Sequence, residues 1–331
     1  MPTSPEPDPR PESTEDRGAG NRPAHDPSLG SLEGTSLGLI GAVEIAPPAG
    51  AKKPKLGVAA WLAIIWLGGL AVLAILAPIL PIPSPTQSFG EIARQGPTAG
   101  HPLGGDAIGR DMLSRIIWGT RSSFIVGFGA VGFGLILGGI LGLTAGFFRG
   151  RVDAIITPAM TVLLAIPQFI LALSLVTVLA SGDTTSQFRR LMFVLLGLGI
   201  VSIPLLGRIT RANTLAWSER EFVLAAKAMG AKNGRIMVRE VLPNVIPAML
   251  SIALLGVGIA IVAEGGLSLF GVGVQLPTPS WGNIIAEGRG QMRRAPHIVV
   301  YTSLVLFLTV LALNYLGDVI SQRFSVRGSV L

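Results

Sequence analysis

"EREFVLAAKAMGAKNGRIMVREVLPN", residues 219–244, decides how this chain is read, because this polar, helix-favouring stretch separates two long apolar runs. "EREFVLAAKAM" consists of good helix formers and ends at Gly230, a residue suited to the left-handed turn that stops a helix. "KNGRIMVREVL" restarts a helix on which Ile236, Met237 and Val241 make an apolar face, and Pro243 is expected to close it before the next apolar run. A helix, a glycine bend and a second helix predict a compact knob. Ala225, Ala226 and Ala228 are small enough to let another protein's surface approach the backbone, and surrounding cations such as Arg235 suit polar contacts at a rim. An ordinary basic loop of a membrane protein has the same composition, so the residues alone leave that reading open beside it.

The flanks of the stretch set the class. Half of the 331 residues are hydrophobic and only 14% are charged, which is a membrane composition. Crossing a hydrocarbon core of about 30 Å takes about 20 apolar residues. Six runs qualify, at roughly 57–82, 123–148, 156–181, 190–207, 245–270 and 298–319, the fourth being the shortest. The expected fold is all-α, a bundle of six transmembrane helices over residues 55–325, with the polar connection 208–243 between the fourth and fifth. The 43 glycines are read as packing residues first. Gly134, Gly138, Gly142 and Gly146 recur every fourth residue and line one helix face. "GFGAVG" (127–132) fits the dinucleotide fingerprint only as a string, since no strand precedes it.

Charge orients the bundle. With the N-terminus inside, the inner flanks carry fourteen Lys and Arg, seven of them between Arg208 and Arg239, against nine on the outer loops. The positive-inside rule then places both termini and the 219–244 stretch in the cytoplasm. These cations are spread over separate short loops, which speaks against a nucleic-acid surface. Residues 1–54 are acidic and rich in proline, read as a disordered cytoplasmic tail, and 326–331 as a short cytoplasmic tail. The chain has no cysteine and three scattered histidines, so neither a metal site nor a thiol nucleophile is expected. It has no GxxxxGK[ST] phosphate loop either.

Ala225-Ala226, Gly230 and Leu242-Pro243, at their spacing, resemble the "EAA" loop of ABC importer permeases. "HPLGGDAIGRDMLSRIIWGTRSSF" (101–124), "GLSLFGVGVQLPTPSWGNII" (266–285) and "NYLGDVISQR" (314–323) are similar to the dipeptide, oligopeptide and nickel branch of that family, specifically its C-type subunit. The likeness spans about residues 57–325. It implies a membrane subunit of an ATP-driven importer, for di- or oligopeptides as its commonest substrates, whose cytoplasmic loop docks on separate ATPase subunits. It also implies a B-type permease partner, two ATP-binding subunits that hold ATP and magnesium, an extracytoplasmic substrate-binding protein, and no cofactor on this chain. The loop departs from the family in two places: its leading glutamate is Leu224 here, with Glu221, about one helical turn earlier, a candidate substitute, and Glu240 stands where the pattern often has an apolar residue.

Other polar residues need roles. Glu264 falls late in the fifth run and Asn314 within the sixth; buried polar groups in spans face a translocation path or a helix contact. Asp106, Arg110, Asp111 and Arg115 sit at helical spacing and are expected to pair on a short outer amphipathic helix. The resemblance implies that this outer part lies where a substrate-binding protein docks or beside the partner permease, which makes Asp106, Arg110, Asp111 and Trp281 docking candidates, although a cap on the second span and an interfacial tryptophan explain them equally. A self-contained ion-coupled transporter is the alternative function, and it predicts more ionisable residues within spans and internally repeated halves.

Overall fold

The computed structural model describes residues 57–181 and 186–328; the expected 1–54 tail lies outside them. The long helices are α1 (Val58–Leu76), α2 (Met112–Phe148), α3 (Gly150–Ala165), α4 (Gln168–Leu179), α5 (Gln187–Ser218), α8 (Leu242–Leu269) and α10 (His297–Gly328). Three short helices join them, α6 (Glu221–Ala228), α7 (Asn233–Ile236) and α9 (Trp281–Gly288). No strand forms among the described residues, and α10 runs into the segment expected as a tail.

Five segments are continuous and apolar enough to span a bilayer, and α3 with α4 makes a sixth that is bent by 91°. The third span is therefore not the unbroken helix expected over 156–181. Pro167 is the cause: it lacks a backbone N–H and disfavours helical backbone in the residue before it, and Ile166 is extended at φ −79°, ψ 131°. The α3–α4 pair still crosses from one side to the other. At its start, Asp153 binds Arg211 near the end of α5, close to the Arg149–Glu219 ion pair. At its end, Val176 and Ala180 share a small cleft with Arg190, at the start of α5, and with Val272, beyond the end of α8.

The remaining ends fall on the same two sides. Gly57 approaches the Tyr315 hydroxyl, and the Ser251 hydroxyl donates to the Gly317 carbonyl at 2.6 Å. On the opposite side the Ser114 hydroxyl donates to the Pro83 carbonyl. Six crossings thus put the starts of α1 and α8, the ends of α5 and α10, and the connection 219–241 on one side. The charge count makes that side the cytoplasm.

The second and fourth spans are longer than their apolar runs. α2 begins at Met112 because Asp111 caps it, accepting the Ser114 N–H at 2.7 Å, and α5 continues to Ser218. These two helices form the most intimate contact in the bundle. A Cβ on Gly138 would lie 2.5 Å from the Ile203 carbonyl oxygen, one on Gly146 2.8 Å from that of Arg211, and one on Gly142 would strike that of Gly207. The glycine stripe thus lets backbone meet backbone, as small residues do at membrane helix interfaces.

Candidate functional site

The cytoplasmic connection folds as an elbow. α6 ends in a Schellman turn: the Ala231 N–H donates to Ala226 O at 3.1 Å, the Gly230 N–H donates to Lys227 O at 2.9 Å, and Gly230 takes φ +80°. Glycine is favoured there because a side chain strains left-handed backbone. The second arm does not stop at Pro243. α7 passes through a π turn over Met237–Val241 directly into α8, with Pro243 in the first α-helical turn after it. A wide turn separates the arm from the span, and the Asn244 side chain donates to the Glu240 carbonyl at 2.6 Å. Elbow and fifth span form one continuous helical rod over Asn233–Leu269.

The inner face of the elbow is fixed to the bundle. Val223, Ile236, Val241 and Val245 are buried against Leu143 and Phe147 at the end of α2, with Trp217, Ala226 and Met237 around them. Ile236, Met237 and Val241 do share an apolar face. Ala226, expected to offer close approach, instead points partly inward, while Ala225, Lys227, Ala228 and Gly230 are exposed. Leu224 is 54% exposed and Met229 81%. Glu221, Lys232, Arg235 and Arg239 are exposed around them, Leu242 is half-buried and Pro243 is exposed at the root. The elbow thus presents an apolar centre within a mostly cationic rim.

On the outer side, the expected surface helix does not form. Residues 88–111 make a turn-rich loop in which Asp106 accepts from the Ile108 and Arg110 N–H groups at 2.9 and 2.8 Å. Its carboxylate holds Arg110 at 2.5 Å and also Arg115, and both guanidinium groups reach Glu287 of α9, at 2.9 and 2.7 Å. Burial opposes the charge on Asp106, but the Arg110 backbone N–H and the Arg115 and Arg110 guanidinium groups outweigh it and hold the carboxyl below its usual 3.8. Asp111 receives His101 Nδ1 at 2.8 Å.

All four expected docking residues are interior, with Asp106 and Asp111 at 2% exposure, Arg110 at 9% and Trp281 at 0%. Trp281 is no interfacial anchor: its indole N–H donates to the Ile116 carbonyl at 3.2 Å, and its ring meets Phe124 edge-on. Sequence spacing did pair Asp106 with Arg110 and Arg115. It missed Glu287, about 170 residues further on, because no local signal links the two.

Glu264 is fully buried near the outer end of α8. Its Oε1 accepts from the Ser268 and Ser280 hydroxyls at 2.8 and 2.9 Å and faces the Val274 N–H at 3.4 Å. A Cβ on Gly282 would lie 2.7 Å from its Oε2. The residue therefore closes a contact between α8, loop 270–280 and α9. Asn314 of α10 packs against Gly258 of α8, where a Cβ would come 3.7 Å from its Oδ1. Both residues lie at helix contacts within this chain.

These features define a polytopic helical membrane subunit with a cytoplasmic elbow continuous with one of its spans. The chain belongs to the family of binding-protein-dependent transport system inner membrane components, the permeases of ABC importers, whose pattern matches residues 111–327. It is 36% identical over 267 residues to the dipeptide transport system permease protein DppC of Alkalihalophilus pseudofirmus, a match covering 81% of this chain and 84% of that one. To the glutathione transport system permease protein GsiD of Pectobacterium atrosepticum it is 38% identical over 224 residues, covering 68% and 72%. A solved inward-facing structure of the MetNI methionine ABC transporter has a similar fold, with a TM-score of 0.52 at 17% identity, over 66% of this chain and 97% of that one.

Proposed function

We propose that this permease is the C-type half of a peptide importer's membrane channel, driven by two separate ATP-binding subunits that seat on the elbow 219–243. It pairs with a B-type permease and receives solute from an extracytoplasmic binding protein. ATP and magnesium bind in the partner subunits, and this chain carries out no covalent chemistry. The peptide reading rests on the dipeptide and glutathione permeases it resembles.

The observation that carries the coupling role is the elbow's two-sidedness. Its outer face, with Leu224, Ala225, Ala228, Met229 and Gly230, is open, whereas its inner face is packed on α2 and is continuous with α8. At about 1.5 Å per residue, the rod Asn233–Leu269 extends about 55 Å. A push on the elbow is thus delivered along the fifth span to the outer contact around Glu264. Rigid-body motion of packed helices is the form such coupling takes. Leu224 stands where the family has an acid, so seating relies on apolar contact, with Glu221 the nearest carboxylate.

The test is co-purification of the ATPase subunits together with ATP-driven peptide uptake in proteoliposomes. Ala225→Trp and Ala228→Trp alter only exposed positions, so they should abolish both readouts while the permease pair still assembles. Retained uptake in either variant would remove the elbow from the coupling route. Uptake against a gradient without any ATPase subunit would overturn the whole reading.

A further inference from the structure

The faces of this chain differ in what they would offer to lipid. Every exposed residue of α1 is apolar, Trp61, Ile65, Val72 and Ile75 among them. Between residues 300 and 311, α10 exposes only Val300, Leu304, Phe307 and Leu311. The α3–α4 span is equally open but ends a helix in its middle, with 16 helical residues before the break and 12 after it. Ala165, Ile166 and Pro167 are all exposed.

The break frees backbone carbonyls at the end of α3. The Gln168 side-chain amide donates to two of these oxygens, Leu163 O and Ile166 O, each at 3.2 Å and in an exposed position. Ser174 and Thr177, one turn apart on α4, are exposed as well. Interrupted backbone is tolerated at membrane depth only where protein covers it or water reaches it, because lipid offers no hydrogen bonds. The bundle itself leaves this segment uncovered. Water is favoured over a dry protein contact because the exposed Ser174 hydroxyl continues the polar surface along α4 beyond the break, beside the Thr177 hydroxyl, which donates to the Leu173 carbonyl at 2.7 Å and keeps its oxygen open as an acceptor.

We propose that the break at Ile166–Pro167 faces a water-filled solute path completed by the partner permease, with the Leu163 and Ile166 carbonyls, Gln168, Ser174 and Thr177 as its polar lining. This inference rests on the channel-half reading above. Main-chain carbonyls and hydroxyls meet the amide N–H groups and terminal ammonium of a peptide without selecting among its side chains. A path lined in this way suits a solute class defined by its backbone.

The chain contains no cysteine, so a single introduced cysteine is its one thiol, and labelling is read on this subunit after it is separated from its partners. Ile166→Cys, Ser174→Cys and Thr177→Cys are compared with Leu304→Cys and Phe307→Cys in the complete importer in lipid nanodiscs, where both faces are open to a charged methanethiosulfonate reagent. The hydrated thiolate attacks the reagent's sulfur and expels methanesulfinate, so the α3–α4 positions should react at least about tenfold faster than the α10 positions. Ser174→Cys changes a single atom and guards against a misfolded variant. Rates equal to those of the α10 controls would overturn the inference. Slow labelling in a complex that still takes up peptide would discard the path assignment alone, whereas fast labelling in a complex that never transports would discard the channel reading and keep the break hydrated.

Discussion

Glu264 and Ser280 meet at 2.9 Å, joining the outer end of the fifth span to the residue that caps α9. Ser280 also accepts the Asn283 N–H at 3.1 Å, so this contact positions α9 and, through Glu287, the buried arginine pair. Glu264→Ala removes the acceptor for two hydroxyls and leaves the space empty. At about 1.5–3 kcal/mol for a hydrogen bond to a charged group, or about 1 for a neutral one, the permease should lose several degrees of thermal stability in detergent. Glu264→Gln keeps one acceptor oxygen and should lose less. Equal losses would show that keeping the side chain's shape and one acceptor oxygen is not enough at this position.

The α2–α5 contact makes a contrasting prediction. Gly142→Ala drives a Cβ into the Gly207 carbonyl, whereas Gly132→Ala, on the same helix, meets nothing within 4 Å. Overpacking costs about 1–3 kcal/mol, and more where the obstacle is backbone. Expression and melting temperature of the two variants should therefore diverge, with Gly132→Ala close to the parent.

At the elbow, Gly230 has open space around a hypothetical Cβ but takes φ +80°. The obstacle to substitution is conformational, not steric. Gly230→Val should destabilise the turn by more than about 1 kcal/mol, while Gly230→Asn, which tolerates left-handed backbone, should cost less. ATPase retention in pull-downs should follow the same order.

Acid should loosen the outer cap. Asp106 has a folded pKa below 3.8, so its contribution is fully present above the unfolded value and is lost as pH falls through the folded one. Melting temperature measured from about pH 5 to about pH 3 should fall, and Asp106→Asn should flatten that limb while lowering the plateau. An unchanged acid limb in the variant would assign the pH dependence to other carboxylates.

By itself the sequence determined the class, the number of crossings, their orientation and the elbow. Those follow from apolar run length, the distribution of cations, and a glycine placed after a helix-favouring segment, all of which act locally along the chain. The glycine stripe on α2 was legible for the same reason, since a period of four residues marks one helix face. Tertiary structure decided what lies across from each residue. The bend at Pro167 was hidden because an apolar run looks the same in a straight helix and in a broken one. Asp106, Arg110, Asp111 and Trp281 read as docking candidates in the sequence, yet folding brings Ile116 and Phe124 against Trp281, Glu287 against Arg110 and His101 against Asp111, while Asp106 holds Arg110. Burial depends on partners distant in sequence, and no spacing rule encodes those.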